Sequence, residues 1–108
     1  MIPVFICSPY SGDVENNVNY AEKVCRRASL KGYAPCAPHL FCTRFLNDQI
    51  PNERRAGMLI GKEFMNLVDE VWICSETISK GMEEEIRYAI SQGMTIRFYN
   101  ELTDARLI

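Results

Sequence analysis

The stretch VWICSETISKGMEEEIRYA, residues Val71 to Ala89, passes from a β-branched and aromatic run through a polar turn and a glycine into an amphipathic segment. It reads as strand, loop and helix. In an open α/β sheet such a junction lies at the carboxyl edge of the strands, where ligands bind. On a helical wheel Met82, Ile86, Ala89 and Ile90 form the stripe expected to be buried, and Glu84 points away from it. Glu83 and Glu85 flank the stripe on opposite sides, so periodicity alone does not choose between them. Their neighbours help. Glu83 stands four residues before Arg87, the favourable order for a surface ion pair. Glu85 lies between Gly81 and Ala89 with Tyr88 beside it, where small residues and an aromatic leave room for a ligand. Glu85 is thus the candidate working carboxylate, set against the plainer reading that acids in the first turns of a helix only complement its dipole.

Working outward, Ile2 to Cys7 is a nearly continuous apolar run closed by Ser8-Pro9-Tyr10-Ser11-Gly12, which suits a central strand buried on both faces. Asp13 is expected to cap a helix with Val14, Val18, Ala21, Cys25 and Ala28 inward, ended by Gly32. The loop before that helix joins hydroxyls, Gly12 and Asp13 to a helix N-terminus, so it could hold an anion or a sugar as well as form a plain turn. It is no P-loop, lacking the lysine and the glycine spacing. Tyr33 to Pro38 reads as a short second strand, with His39 following at the carboxyl edge. A lone histidine after proline is more often a loop residue than a catalyst, but its place keeps it a candidate.

Phe41 to Asn52 looks like an irregular segment over the sheet edge, as lids often are. Phe41 and Phe45 could stack on a planar base or simply pin the loop. Asn52 is expected to cap a helix running to about Val68 with Ile60, Phe64, Leu67 and Val68 inward. Arg54 and Arg55 fall in its first turn, where the dipole disfavours cations. An anionic ligand would repair that, although Asp48 and Glu53 could neutralise the pair equally well. After the helix from Gly81 to Gln92, Met94 to Tyr99 gives a fourth strand, and the tail from Asn100 to Ile108 is too short to assign. Strands alternating with helices at this spacing predict a single α/β domain over 1–108, three-layered and Rossmann-like or flavodoxin-like, with a parallel sheet of four to five strands.

At 108 residues, 47% apolar and 24% charged, the chain has the composition of one folded domain. A net charge of -2 gives no general attraction to nucleic-acid polymers or anionic membranes, so any phosphate recognition must be local. Five cysteines without paired spacing, and one histidine, argue against a structural metal centre. Cys7, Cys25 and Cys74 sit inside apolar patterns as small buried hydrophobes, which suits a reducing compartment. With no leader-like or membrane-length apolar run, a cytoplasmic protein is expected.

FICSPYSGD, GYAPCAPHLF and DEVWICSETISKGMEEEIRYA together resemble the nucleoside 2-deoxyribosyltransferase-like superfamily, in particular a branch common in Gram-positive bacteria and their phages. The resemblance covers nearly the whole chain, and its sharpest element is a serine, a glycine two positions later, then a glutamate four beyond. It implies that Glu85 is the nucleophile of an N-glycosidic-bond transferase or hydrolase, with no cofactor. It makes Ser79 a phosphate contact, with Gly81 and Met82 beside it, and the loop carrying Ser8, Pro9, Tyr10, Gly12 and Asp13 a sugar-binding turn. His39, Arg54 and Arg55 complete the expected substrate contacts. Two positions depart from the pattern. The superfamily's catalytic aspartate falls on Gly61, leaving His39 or Glu76 as substitute acids, and Arg87 replaces a glycine where close packing is usual. Enzymatic cleavage of a nucleoside, nucleotide or dinucleotide therefore stands beside a non-catalytic nucleotide sensor or sequestering protein. A homodimer or higher homo-oligomer is the assembly that the resemblance implies.

Overall fold

The computed structural model describes residues 1–100 and 105–107. Five strands form one sheet in the order β2-β1-β3-β4-β5. They are β1 (Ile2–Cys7), β2 (Tyr33–Cys36), β3 (Glu70–Ile73), β4 (Thr95–Asn100) and β5 (Ala105–Leu107). The first four are mutually parallel, with Phe5 opposite both Cys36 and Val71, and Ile73 opposite Phe98. The sequence leaves the tail from Asn100 to Ile108 unassigned. Its residues 101–104 and 108 lie outside the described residues, whereas β5 pairs antiparallel with β4.

Helices α1 (Val14–Leu30), α2 (Pro51–Met65) and α3 (Lys80–Ser91) supply the outer layers. Side chains alternate along β1, so Val4 and Ile6 pack with Val24 and Ala28 of α1, together with Trp72 and Cys74. Phe5 and Cys7 enter the opposite cluster with Val71, Ile73, Met65 of α2, and Met82 and Ala89 of α3. One helix thus covers one face and two cover the other. The chain leaves β1 towards β2 on one side and returns to β3 on the other, which puts a topological switch point between the carboxyl ends of β1 and β3.

The helix termini follow their local chemistry. The Asp13 side chain caps α1 by accepting from the Asn16 amide, and Gly32 takes the left-handed φ of 90° that turns the chain into β2. Ser79 caps α3 by accepting from the Met82 amide at 3.2 Å. The expected cap at Asn52 is displaced: α2 begins at Pro51, whose fixed φ and missing N–H suit the first helical position, and Ile50 precedes it without a side-chain bond. Three apolar residues expected inside lie outside. Ile90, near the end of α3, and Leu67, two residues past the end of α2, are 65% and 75% exposed, and Val14 opens α1 at 40%. Gly61 and Met65, not Leu67, form the fully buried face of α2. Among the described residues no helix is long and apolar enough to cross a membrane.

Candidate active-site cleft

Three loops converge at the carboxyl ends of the parallel strands. The chain after β1 carries Ser8, Tyr10 and Ser11, that after β2 carries His39, and that after β3 leads through Ser79 into α3. Residues 41–50 fold over this edge as a 3-10 turn (Cys42–Arg44) and a short loop, and α2 closes the remaining side. Between them lies a cleft of about 90 Å³. Ser8, Tyr10, His39, Arg54, Ser79, Gly81, Met82 and Glu85 all line it. An outer groove of about 470 Å³ adjoins it, sharing Tyr10, Ser11, Thr43, Leu46, Asp48 and Glu53 with the inner wall.

Glu85 stands one turn into α3 and turns towards the sheet, while its two neighbours turn outward. Glu84 reaches Lys62 of α2 at 3.2 Å, and Glu83 pairs with Arg87 at 2.6 Å. Burial pushes the Glu85 carboxyl up to about 7; a hydrogen bond from the Cys7 thiol partly opposes that rise, and Glu84 adds to it. The same pair drives Cys7 upward, through burial first and the adjacent carboxylate second. Near neutral pH the carboxyl is therefore divided between its acid and its carboxylate. Opposite it, α2 presents only a hydrogen. A Cβ on Gly61 would stand 3.6 Å from Glu85 Oε2 and 4.0 Å from Phe5 Cζ.

Ser8 is buried, and its hydroxyl lies 3.4 Å from His39 Nε2. The imidazole meets the Tyr10 ring edge-on at 6.0 Å, and the Thr43 hydroxyl donates to the His39 carbonyl at 2.7 Å. Burial lowers the His39 pKa to about 4, so the ring is neutral across the physiological range. Arg54 Nη1 pairs with Asp48 Oδ2 at 2.7 Å, while Nη2 would lie 3.9 Å from a Cβ on Gly81. A guanidinium thus sits over the first turn of α3, where the helix dipole is positive and an anion would satisfy both. The other cleft acid beside the lid, Glu53, accepts from the Asn47 amide at 2.9 Å.

Four residues expected at the site are not brought into this cleft. Pro9 only carries the loop through, Gly12 borders the outer groove at a φ of 99°, and Asp13 is spent on capping α1. Arg55 lines a neighbouring hollow with Pro51, Leu59, Lys62 and Glu84, while Arg54 borders both that hollow and the cleft. Of the two substitute acids, His39 lines the cleft, whereas Glu76 is exposed and does not. Arg87 does not crowd α3, since it is drawn outward to Glu83. Phe41 packs edge-on against Phe64 at 5.7 Å, and Phe45 borders the outer groove.

Thr43, Leu46, Asp48, Gly57 and Met58 line the cleft without having been expected there. Gly57 and Gly61, four apart on α2, make one smooth helical face, a spacing that sequence could have flagged. Nothing local distinguishes the lid residues.

The fold has solved counterparts. A 2-desoxiribosyltransferase from Leishmania mexicana superposes with a TM-score of 0.61 at 16% identity, over 92% of this chain and 64% of that one. A 2-deoxyribosyltransferase from the psychrotolerant bacterium Bacillus psychrosaccharolyticus gives 0.62 at 16% identity, over 90% and 71%. The chain thus spans less than two thirds of the Leishmania protein. At such identity the likeness establishes the flavodoxin-like fold. No curated protein matches the sequence. Residues 2–99 match the family described as Domain of unknown function (DUF7768).

Proposed function

The chain belongs to the family described as Domain of unknown function (DUF7768), and from its cleft we propose an enzyme that cleaves or transfers at the N-glycosidic bond of a nucleoside, nucleotide or related dinucleotide. The observation that carries this reading is the Glu85 carboxyl, turned into a cleft at the β1/β3 switch point with Ser8, His39 and Ser79 around it. The two deoxyribosyltransferases of like fold agree with it.

In this reading the inner cleft takes the sugar ring, held by the Ser8 and Tyr10 side, and the outer groove takes what the inner space has no room for. The hydroxyl of Ser79, whose oxygen already accepts from the Met82 amide, offers its proton to a phosphate oxygen. Arg54, over the start of α3, supplies the countercharge once it leaves Asp48. Glu85 attacks the anomeric carbon as the base departs through an oxocarbenium-like transition state. Water or an acceptor base then displaces the sugar from the glutamyl ester with overall retention. Glu85 must be ionised to attack, and its pKa of about 7 leaves roughly half of it so at neutral pH.

A second reading, a nucleotide sensor or sequestering protein, is favoured by the bare Gly61 wall opposite Glu85. Incubation with a panel of nucleosides, nucleotides and NAD, read as free base, separates the two. Release that disappears in Glu85→Ala supports the enzyme. Tight binding without release supports the sensor, and release unchanged by the substitution removes Glu85 from the chemistry. Self-association, as a homodimer or larger, is part of the proposal and is checked by light scattering.

A further inference from the structure

Departure of a neutral heterocycle from a sugar leaves a nitrogen anion unless a proton arrives with it, and positioned acids supply that proton. The cleft walls therefore bear on which ring can leave. Besides Glu85, its described lining holds two carboxyls and an imidazole, each engaged, and two weaker acids, the Tyr10 phenol and the Cys42 thiol. Asp48 is ion-paired to Arg54 at 2.7 Å unless a ligand phosphate takes its place, Glu53 accepts from the Asn47 amide at 2.9 Å, and His39 lies against the Ser8 hydroxyl at 3.4 Å. On the α2 side, what faces Glu85 is the hydrogen of Gly61. The lining also sets three carboxylates, Asp48, Glu53 and Glu85, against the single guanidinium of Arg54. In a partly desolvated hollow that imbalance favours a cation.

We propose that the bond broken in this cleft is one to a ring nitrogen that already bears positive charge, as in a pyridinium riboside or a purine nucleoside alkylated on its imidazole ring. The inference rests on the reading of Glu85 as nucleophile and narrows its substrate class. Attack by the carboxylate oxygen forms the bond to C1′ while the C1′–N bond breaks. Its electron pair returns to the ring nitrogen, so the heterocycle leaves neutral and no proton donor is needed. Water then takes C1′ from the glutamyl oxygen, regenerates the carboxylate and releases one proton to solvent. The cation assists its own cleavage, because positive charge beside Glu85 draws its proton off and prepares the nucleophile. Tyr10 lies on the rim shared with the outer groove, an aromatic ring near where the cation would sit.

Pairs in which one member carries a cationic ring and the other a neutral one test this: nicotinamide mononucleotide against its dihydro form, and 7-methylguanosine monophosphate against guanosine monophosphate. Release of the base is followed with the wild-type protein and with Glu85→Gln, and each rate is divided by the uncatalysed rate of the same compound. The expected result is a rate enhancement at least about 100-fold greater for the cationic member of each pair, the size of a missing general acid, and its loss in Glu85→Gln. Enhancements within about tenfold of each other, or greater for the neutral member, would overturn the charge requirement and leave the nucleophile standing. No release from any compound would overturn both.

Discussion

Arg54 is held across the cleft wall by Asp48, guanidinium to carboxylate at 2.7 Å, with its other terminal nitrogen over the first turn of α3. A cation at a helix N-terminus is favourable only while an anion accompanies it, and Asp48 is that anion. A ligand phosphate entering the same space replaces Asp48. The gain is the difference between two ion pairs, not the whole of one. Arg54→Ala is therefore expected to weaken binding of a nucleoside monophosphate by about 10-fold to 100-fold, in the range of a charge-assisted hydrogen bond. Binding of the corresponding nucleoside should change little. Calorimetric titration of both ligands into both proteins checks it, and an equal loss for the two would remove Arg54 from phosphate recognition.

Glu85 should make the protein less stable as its cleft becomes functional. Its carboxyl rises from an ordinary 4.5 to about 7 on folding, chiefly through burial. Between those values the folded state binds the proton and the unfolded chain does not, so stability falls as pH rises and the loss is complete above 7. The shift corresponds to at most about 3 kcal/mol. Glu85→Gln lacks this dependence and is expected to be more stable than wild type at pH 8, with little difference at pH 4. His39 shifts the opposite way, to about 4, so its contribution is whole above pH 6.5 and fades as pH falls. Both proteins share that contribution, and it cancels in the comparison. Urea melts at the two pH values decide it. Base release through Glu85 should correspondingly rise with an inflection near pH 7 rather than near 4.5.

Trp72, the sole tryptophan, anchors the sheet face opposite Glu85. Its ring stacks on Tyr99 with centroids 5.5 Å apart and 9° between planes, and meets Tyr33 edge-on at 4.8 Å. Its indole N–H donates to Glu70 Oε1 at 2.9 Å, while Arg97 Nε donates to Glu70 Oε2 at 3.2 Å. Trp72→Ala removes packing and a hydrogen-bond donor together and should cost about 3–5 kcal/mol. Trp72→Phe keeps an aromatic ring there, and Glu70 keeps Arg97, so the cost should fall to about 1–2 kcal/mol. Denaturant melts followed by circular dichroism measure both. In the wild type the ring is 2% exposed, so unfolding should shift its fluorescence to longer wavelength.

The sequence made some of this legible for physical reasons that hold residue by residue. The unbroken apolar run of β1 can be satisfied only by burial on both faces, which identifies a central parallel strand. The contrast between Glu83, with Arg87 one turn on, and Glu85, between Gly81 and Ala89, separates an outward acid from an inward one. Other features depend on what lies across from a residue. Ile90 continues the α3 stripe but stands past the cover of the sheet, and periodicity reports the direction of a side chain, not the extent of its partner. Asp13 reads both as a cap and as a ligand contact because caps and anion sites use the same residues, and it caps α1. The lid is legible as an irregular segment over the sheet edge and Asp48 as a partner for Arg54, but which lid side chains enter the cleft depends on how the segment folds back on the strand ends, a long-range event.

Gly61 is the position where a single change should alter the chemistry. An added Cβ would meet Glu85 Oε2 at 3.6 Å and Phe5 Cζ at 4.0 Å, ordinary contact distances, so Gly61→Ala fits and should stabilise α2 by about 0.5–1 kcal/mol. Gly61→Asp would place a second carboxyl beside Glu85. Two carboxyls at such range share a proton, because ionising one hinders the other. Such a pair supplies both the nucleophile and a proton for the departing ring. The substitution is expected to raise cleavage of neutral nucleosides by about 100-fold or more, the contribution of a positioned acid. It should also turn the single-limbed pH dependence into a bell whose two apparent pKa values belong to the pair. Release of base from guanosine monophosphate by the variant, measured from pH 5 to pH 9, would show both effects. A folded Gly61→Asp protein with no gain on the neutral substrate would mean that the proton donor was never what this cleft lacked.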